Sequence, residues 1–209
     1  MTILRSILRN PFLSMSLIAG SVAVSGCVDS AQPVSAESAE IAADHVTITD
    51  GNALSGLTVH TVQYQHTAQG DKFSAPGFTQ TAPGEWTMSA NGTTMSIKVS
   101  PVAKDAAPPP PVTCNLNFYI GAATPVVGFV GEVALGQLDC VGGTVATTIT
   151  TQACTNLGCN VPQSVAGSAS PGVPFTSGVA VPGAAGAACS GTVIWNPPGS
   201  SVSSSNLCG

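Results

Sequence analysis

Carboxylates and histidines are the side chains of this chain that could carry acid–base or metal chemistry. Glu132 and Asp139 are the only carboxylates after residue 106, and a glycosidase pair would need its carboxyl groups about 5 to 10 Å apart. If both lie on one strand, seven residues of separation place them on opposite faces and more than about 20 Å apart. The spacing therefore predicts no glycosidase pair unless the strand bends sharply between them.

The three histidines, His45, His60 and His66, all lie in the first half of the chain. His60 and His66 would share a strand face, but at about 3.3 Å per residue they stand too far apart to hold one metal ion. The mature sequence also lacks a Gly-x-Ser-x-Gly elbow, a Cys-x-x-Cys redox pair and a phosphate-binding loop. These observations predict a protein that is not an enzyme, with no catalytic residues, metal site or cofactor.

Cysteine chemistry begins with the leader that precedes Cys27. Arg5 and Arg9 are followed by an uncharged, mainly apolar stretch at residues 12–24 and then by two small residues, which is the pattern of a secretory signal. Residues 12–26 are fewer than the roughly 20 apolar residues that a bilayer requires. The leader is therefore predicted to be a signal peptide covering residues 1–26.

The end of this leader, Val24-Ser25-Gly26-Cys27, resembles the lipobox of bacterial lipoproteins. The resemblance implies that Cys27 becomes the first mature residue and carries a diacylglycerol thioether, often with a further acyl chain on its amine. Several acyl chains hold a protein at a membrane more firmly than one. Val28 stands where inner-membrane members of the Gram-negative family have aspartate, so the resemblance implies the outer membrane of the cell envelope.

Assigning Cys27 to lipid leaves an even number of cysteines, and an even number in an exported chain predicts three disulfides. Cys154 and Cys159 bracket a four-residue loop and are expected to pair. The other four permit three connectivities, of which the more local joins Cys114 to Cys140 and Cys189 to Cys208. The six candidates are Cys114, Cys140, Cys154, Cys159, Cys189 and Cys208.

Composition narrows the class of protein and of partner. The chain has 5 basic and 10 acidic residues, and removal of the two leader arginines leaves a net charge of 3 − 10 = −7. Nucleic acid is therefore not an expected partner. With 7% charged residues, 23 glycines and 16 prolines, the composition favours exported β structure over long helices or a charged disordered chain.

Period-2 patterns at residues 45–49 and 57–66 predict strands in a small β module, a meander with a hairpin, at residues 45–100. Its hairpin is predicted from Asn91-Gly92, a two-residue loop that selects a type I′ turn. The predicted register sets Ala90 opposite Thr93, Met88 opposite Met95, Trp86 opposite Ile97 and Glu85 opposite Lys98. Trp86, Met88, Met95 and Ile97 then share the buried face.

The remaining segments are predicted from composition. Residues 27–44 have few large apolar side chains and are expected to form a flexible tether. Residues 101–111 end in four consecutive prolines and are expected to form a linker. Residues 112–209 are predicted to form an immunoglobulin-like, disulfide-tied β-sandwich. Its expected strands are 113–120, 126–138, 143–151, 173–181 and 188–195, with a helix at 126–138 as the competing interpretation.

Two functions of different classes fit these features. The first is a structural or adhesive, non-enzymatic lipoprotein that faces the cell surface or the periplasm and contacts a protein or glycan, or a copy of itself, through neutral polar side chains. The second is a carbohydrate-binding module on a lipid anchor, with Tyr119 or Trp195 as a stacking platform.

Overall fold

A computed structural model describes residues 45–100 and 111–209. The predicted signal peptide, Cys27, the tether and all of the predicted proline linker except Pro111 lie outside the described residues. The described chain is all-β and forms two antiparallel sheets packed as a sandwich.

The described residues form fourteen strands and one short helix. Their bounds are β1 Val46–Ile48, β2 His60–Thr67, β3 Gly70–Ser74, β4 Thr79–Ala82, β5 Glu85–Ala90, β6 Thr93–Val99, β7 Val112–Ala122, α1 Thr124–Val127, β8 Gly131–Val141, β9 Val145–Thr155, β10 Gly158–Cys159, β11 Gln163–Ala169, β12 Phe175–Pro182, β13 Ala188–Asn196 and β14 Ser200–Leu207. Within the described ranges, no helix is long and apolar enough to cross a membrane.

The six-stranded sheet has the order β1-β12-β8-β7-β2-β3. The eight-stranded sheet has the order β10-β9-β13-β14-β6-β5-β4, and β11 also pairs with β9. Since β13 overlaps both β10 and β11 along β9, those two short strands lie one after the other on the opposite flank of β9. They form one edge of the eight-stranded sheet.

The structure differs from the predicted division into two β modules. Strand β2 pairs with β7, β6 pairs with β14 and β1 pairs with β12, so both predicted modules contribute to both sheets. The physical reason is that a small meander has too little buried surface of its own and an isolated hairpin is marginally stable in water. The proline-rich segment therefore connects β6 in one sheet to β7 in the other.

The hairpin predicted from Asn91-Gly92 is confirmed, with every predicted pair in register. Asn91 and Gly92 have φ values of 51° and 77°, as both central residues of a type I′ turn require. Trp86, Met95 and Ile97 are buried, as the predicted face requires.

The strand predicted at residues 126–138 is partly wrong. Residues 124–127 form α1, which begins with Pro125 in its first turn and ends at Gly128 in the left-handed conformation (φ 79°), and the strand begins only at Gly131. Its predicted burial on both faces is confirmed, since β8 is a central strand whose first six residues are all buried.

The main core lies between the two sheets and is centred on Trp195, Phe118, Leu138 and Ile149. Gly136 provides room for it, because a Cβ there would stand 2.5 Å from the Val193 side chain and 3.2 Å from the Trp195 ring. A second apolar cluster covers the outer face of the six-stranded sheet, where the segment after β1 and helix α1 pack on Val133 and Leu135.

The three disulfides join Cys114 to Cys140, Cys154 to Cys159 and Cys189 to Cys208, which confirms the more local pairing. The first links the paired strands β7 and β8, and the second links β9 to β10. Three disulfides indicate an extracytoplasmic protein, because thiols are kept reduced in the cytosol.

Candidate functional site

The outer face of the eight-stranded sheet carries mainly serine and threonine side chains, and is called the hydroxyl face below. These residues alternate along each strand with inward-facing core residues such as Ile97, Val193 and Trp195. All of these serine and threonine side chains are exposed or half-buried. The hydroxyl face comprises Thr79, Thr87, Ser89, Thr94, Ser96, Thr148, Thr150, Ser190, Thr192, Ser201, Ser203 and Ser205.

The strand registers place these hydroxyls in rows that run across the sheet. One row crosses five adjacent strands through Thr192, Ser203, Ser96, Thr87 and Thr79. Neighbouring members of a row stand about 4.8 Å apart, and rows repeat about every 6.7 Å along the strands. A second row, parallel to the first, contains Ser190, Ser205, Thr94 and Ser89.

The hydroxyl face is almost free of charge. Glu85 and Lys98 lie opposite each other and form an exposed ion pair at 3.2 Å, so their charges compensate. Two large apolar side chains, Ile194 and Leu207, are also exposed on this face, with 37% and 63% of their surfaces accessible. Since each hydroxyl can both donate and accept a hydrogen bond, the face suits a neutral ligand that also does both.

Glu132, one of the two carboxylates considered above, lies at the start of β8 and is completely buried between the sheets. Burial raises its pKa to about 8, although a hydrogen bond from Asn206 Nδ2 at 3.2 Å acts in the opposite direction. Its Oε1 and the Oδ1 of Asn206 have no hydrogen-bond partner among the described residues. A proton on this carboxyl would supply a donor where two side chains otherwise present unmatched acceptors.

Asp139 lies near the other end of β8. The odd separation turns it toward the outer face of the six-stranded sheet, whereas Glu132 faces the interior. The structure therefore does not bring the two carboxylates together.

A cleft of about 340 Å³ lies at the end of the sandwich next to Glu132, where Asn206 lines it together with Tyr119 and His60. The Tyr119 hydroxyl donates to the carbonyl oxygen of Ala122 at 3.0 Å. Burial, and then the nearby Glu132 carboxyl, raise the pKa of Tyr119. Neither group presents a strong base to the cleft, because Glu132 is completely buried and the Tyr119 phenol keeps its proton in the hydrogen bond to Ala122.

The histidines occupy separate positions. His60 and His66 lie at the two ends of β2 on its inward face, as their spacing predicts. His60 packs against Phe78 and Phe118 at ring distances of 5.7 and 5.6 Å, and burial lowers its pKa. His66 Nδ1 lies 2.6 Å from Asp71 Oδ1. In the described ranges, no group of three or more His, Cys, Asp or Glu side chains could hold a metal ion.

The two aromatic residues considered as stacking platforms are not presented as such. Trp195 is completely buried and meets Phe118 at a ring distance of 6.3 Å. Tyr119 is half-buried against the second apolar cluster, and its hydroxyl is already bonded. A sugar ring therefore has no exposed face of Trp195 on which to stack.

Sequence reasoning from charges and aromatics did not identify the hydroxyl rows. The signal is present in the chain as period-2 hydroxyls, such as Ser201, Ser203 and Ser205 in β14. Their alignment across strands depends on the register of strand pairing, and the sequence predicts that register only for the hairpin of β5 and β6. No family model, curated protein or solved structure matches this chain.

Proposed function

We propose that the protein is an exported, lipid-anchored adhesive protein of the cell envelope, without enzymatic activity, that contacts a neutral hydroxylated polymer through its hydroxyl face. The observation that carries the proposal is the pair of in-register hydroxyl rows across the eight-stranded sheet. Three disulfides and the lipobox resemblance of residues 24–27 support export and anchoring.

The chemistry of the face favours contact over catalysis. Serine and threonine are short, and they lose less rotamer freedom on binding than lysine, arginine, glutamine or glutamate. A repeated array makes many weak hydrogen bonds at once to a repeating polymer, and so gains avidity without a deep pocket. An anionic partner is disfavoured because the cation of this face, Lys98, is already paired with Glu85.

The contact is tested by co-sedimentation of the full chain with insoluble neutral polysaccharides. Ser203 is an exposed member of the longest row, with a hydroxyl neighbour on each side, so Ser203→Glu should weaken retention at least tenfold by desolvating a charge at the interface. Ser55→Glu adds the same charge at an exposed loop position away from both rows and should retain binding.

Two results would count against the proposed contact. One is retention that Ser203→Glu leaves unchanged. The other is retention that Tyr119→Ala abolishes, because that would favour a sugar-stacking site at the end cleft. The anchor is tested separately: Cys27→Ser should give an unprocessed chain without lipid, and a wild-type mature terminus at any residue other than 27 would contradict it.

A further inference from the structure

The edges of the two sheets are protected to different degrees. Free edges invite pairing with other chains, and proteins usually block them with charges, prolines, bulges or very short strands. Strand β3 carries Asp71 and Lys72, β4 has an irregular register between Gln80 and Ala82, and β1 has only three residues. Each of these edges has a recognised form of protection.

Strand β11 has none of these protections. It has seven residues, no charged side chain and no internal proline, and it pairs in continuous register with β9. Among the described strands, β9 is its one backbone partner. The Gln163 side chain hydrogen-bonds to the Thr47 hydroxyl of β1 at the start of the strand, but no described strand pairs with the backbone of its other flank. Pro162 and Pro171 stand outside its two ends and limit any added strand to this segment, since proline cannot donate to a ladder.

The pattern of exposed residues in β11 is the same in both chain directions, so the strand suits antiparallel pairing with a second copy of itself. Ser164, Ala166 and Ser168 are exposed on the outer face, in the order Ser-x-Ala-x-Ser, while Val165 and Gly167 face inward and are half-buried. When two copies pair antiparallel, residues opposite each other belong to the same face of the strand only if the pairing is centred on a residue and not between two residues. All seven residues find partners only if that central residue is Ala166.

This arrangement also fits the inward side chains. Val165 of each copy then lies opposite Gly167 of the other. Gly167 has no room for a side chain of its own, because the ring of Phe175 lies against it. The pairing would cover Val165 and Phe175, both only partly buried in the single chain.

Charge and apolar surface at this edge point to the same occupant. Neither β11 nor its neighbour β9 carries an ionisable side chain, so two copies meet without like-charge repulsion. Val161 and Val173 flank the strand and are each 61% exposed. An antiparallel arrangement brings the Val161 end of one copy toward the Val173 end of the other.

We propose that β11 is a self-recognition strand, through which two copies of this chain pair antiparallel about Ala166 and join their eight-stranded sheets into one. Because paired residues lie on equivalent faces, both hydroxyl faces point to the same side of the joined sheet. The interface is one strand wide and smaller than the roughly 1,600 Å² of a standard stable interface. The dimer is therefore weak and dependent on concentration.

The test uses two double variants of the detergent-solubilised full chain in analytical ultracentrifugation. Position 164 of one copy lies opposite position 168 of the other, whereas within one chain the two positions stand about 13 Å apart. Ser164→Lys with Ser168→Lys should raise the dimer dissociation constant at least tenfold. Ser164→Lys with Ser168→Glu creates two cross-copy ion pairs and should restore the wild-type constant or lower it.

Hydrogen exchange gives a second, independent measurement. Amide protection at residues 163–169 should increase with protein concentration, while protection in β5 and β6 should not. A chain that stays monomeric at millimolar concentration overturns the proposal. So does finding that the two double variants form dimers with the same dissociation constant. The dimer does not depend on polysaccharide binding, so the two proposals fail separately.

Discussion

At the scale of single residues, Glu132 is a carboxyl group whose buried environment differs strongly from water. Its pKa of about 8 in the folded chain compares with 4.5 for an ordinary glutamate. Between these two pH values the folded state holds a proton that the unfolded state has released. The stability that this proton contributes is complete below about pH 4.5 and is lost as the pH rises toward 8.

We therefore expect Glu132 to lower the free energy of unfolding by about 1.4 kcal/mol per pH unit as the pH is raised from 5 toward 8. The lowered pKa of His60 acts in the opposite direction below its ordinary value of 6.5, so the fall is clearest between pH 6.5 and 8. Glu132→Gln keeps a neutral side chain at all pH values and should lack that part of the slope. Urea unfolding across this range measures both. Glu85→Gln removes an exposed carboxyl and controls for net charge; a slope shared by wild type and Glu132→Gln would contradict the expectation.

Part of this environment could be predicted from the chain. Period-2 geometry correctly separates Glu132 from Asp139, because an odd spacing reverses the face of any strand. It could not show which of the two faces inward, since the residues of β8 around Glu132 are apolar on both sides. The contact with Asn206 spans 74 positions and follows from the packing of two sheets.

At the scale of elements, the disulfides close loops of very different length. Cys114 and Cys140 are separated by 26 positions, whereas Cys154 and Cys159 are separated by 5. The loss of unfolded-chain entropy grows with loop length, which gives about 3.5 kcal/mol for the longer loop and about 2 kcal/mol for the shorter.

Replacing both cysteines of a pair by alanine should therefore destabilise the chain more for Cys114 and Cys140 than for Cys154 and Cys159. The expected difference is about 1.5 kcal/mol in the free energy of unfolding, measured with urea on oxidised protein. Cys114 and Cys140 are also fully buried, so their truncation adds a packing loss in the same direction. Equal effects, or the reverse order, would contradict the loop-length explanation.

Strands whose own sequence contains a turn motif or an alternating apolar pattern were predictable. Strands that are extended only because they pair with neighbouring strands were not. The hairpin of β5 and β6 has its own turn and its own apolar face, so its register follows from local sequence. Strand β14 has the sequence SSVSSSNL, with one β-branched residue, and little intrinsic preference for a strand. It is extended because it fills the space between β13 and β6, where tertiary pairing outweighs propensity.

At the scale of the whole molecule, the two predicted modules share both sheets, and we expect them to unfold as one cooperative unit. Without residues 45–100, one flank of β7 and one flank of β14 lose their partners, and the core loses Trp86, Met95 and Ile97. A chain of residues 111–209 alone should therefore show no cooperative urea transition. Mixing it with residues 45–100 should restore one, with fluorescence of the two tryptophans as the measurement.

Cooperative unfolding of residues 111–209 by themselves would contradict this expectation and favour independent domains. The predicted boundary at the prolines came from a real change in composition, since all six paired cysteines follow it. Composition does not report on pairing, however. Which strands share a sheet is decided by unpaired flanks and apolar faces that lie far apart along the chain.

The position of β14 has a consequence for the order in which the molecule is built. Lys98 and Ser201 are 103 positions apart, yet they face each other where β6 meets β14. A polypeptide that emerges through a secretion channel from its amino end therefore cannot complete the eight-stranded sheet until the segment at 200–207 has also emerged. Long-range pairing of this kind delays folding. Delay of this kind would keep the chain extended and competent for transport during its passage, and would leave final assembly to the oxidising side.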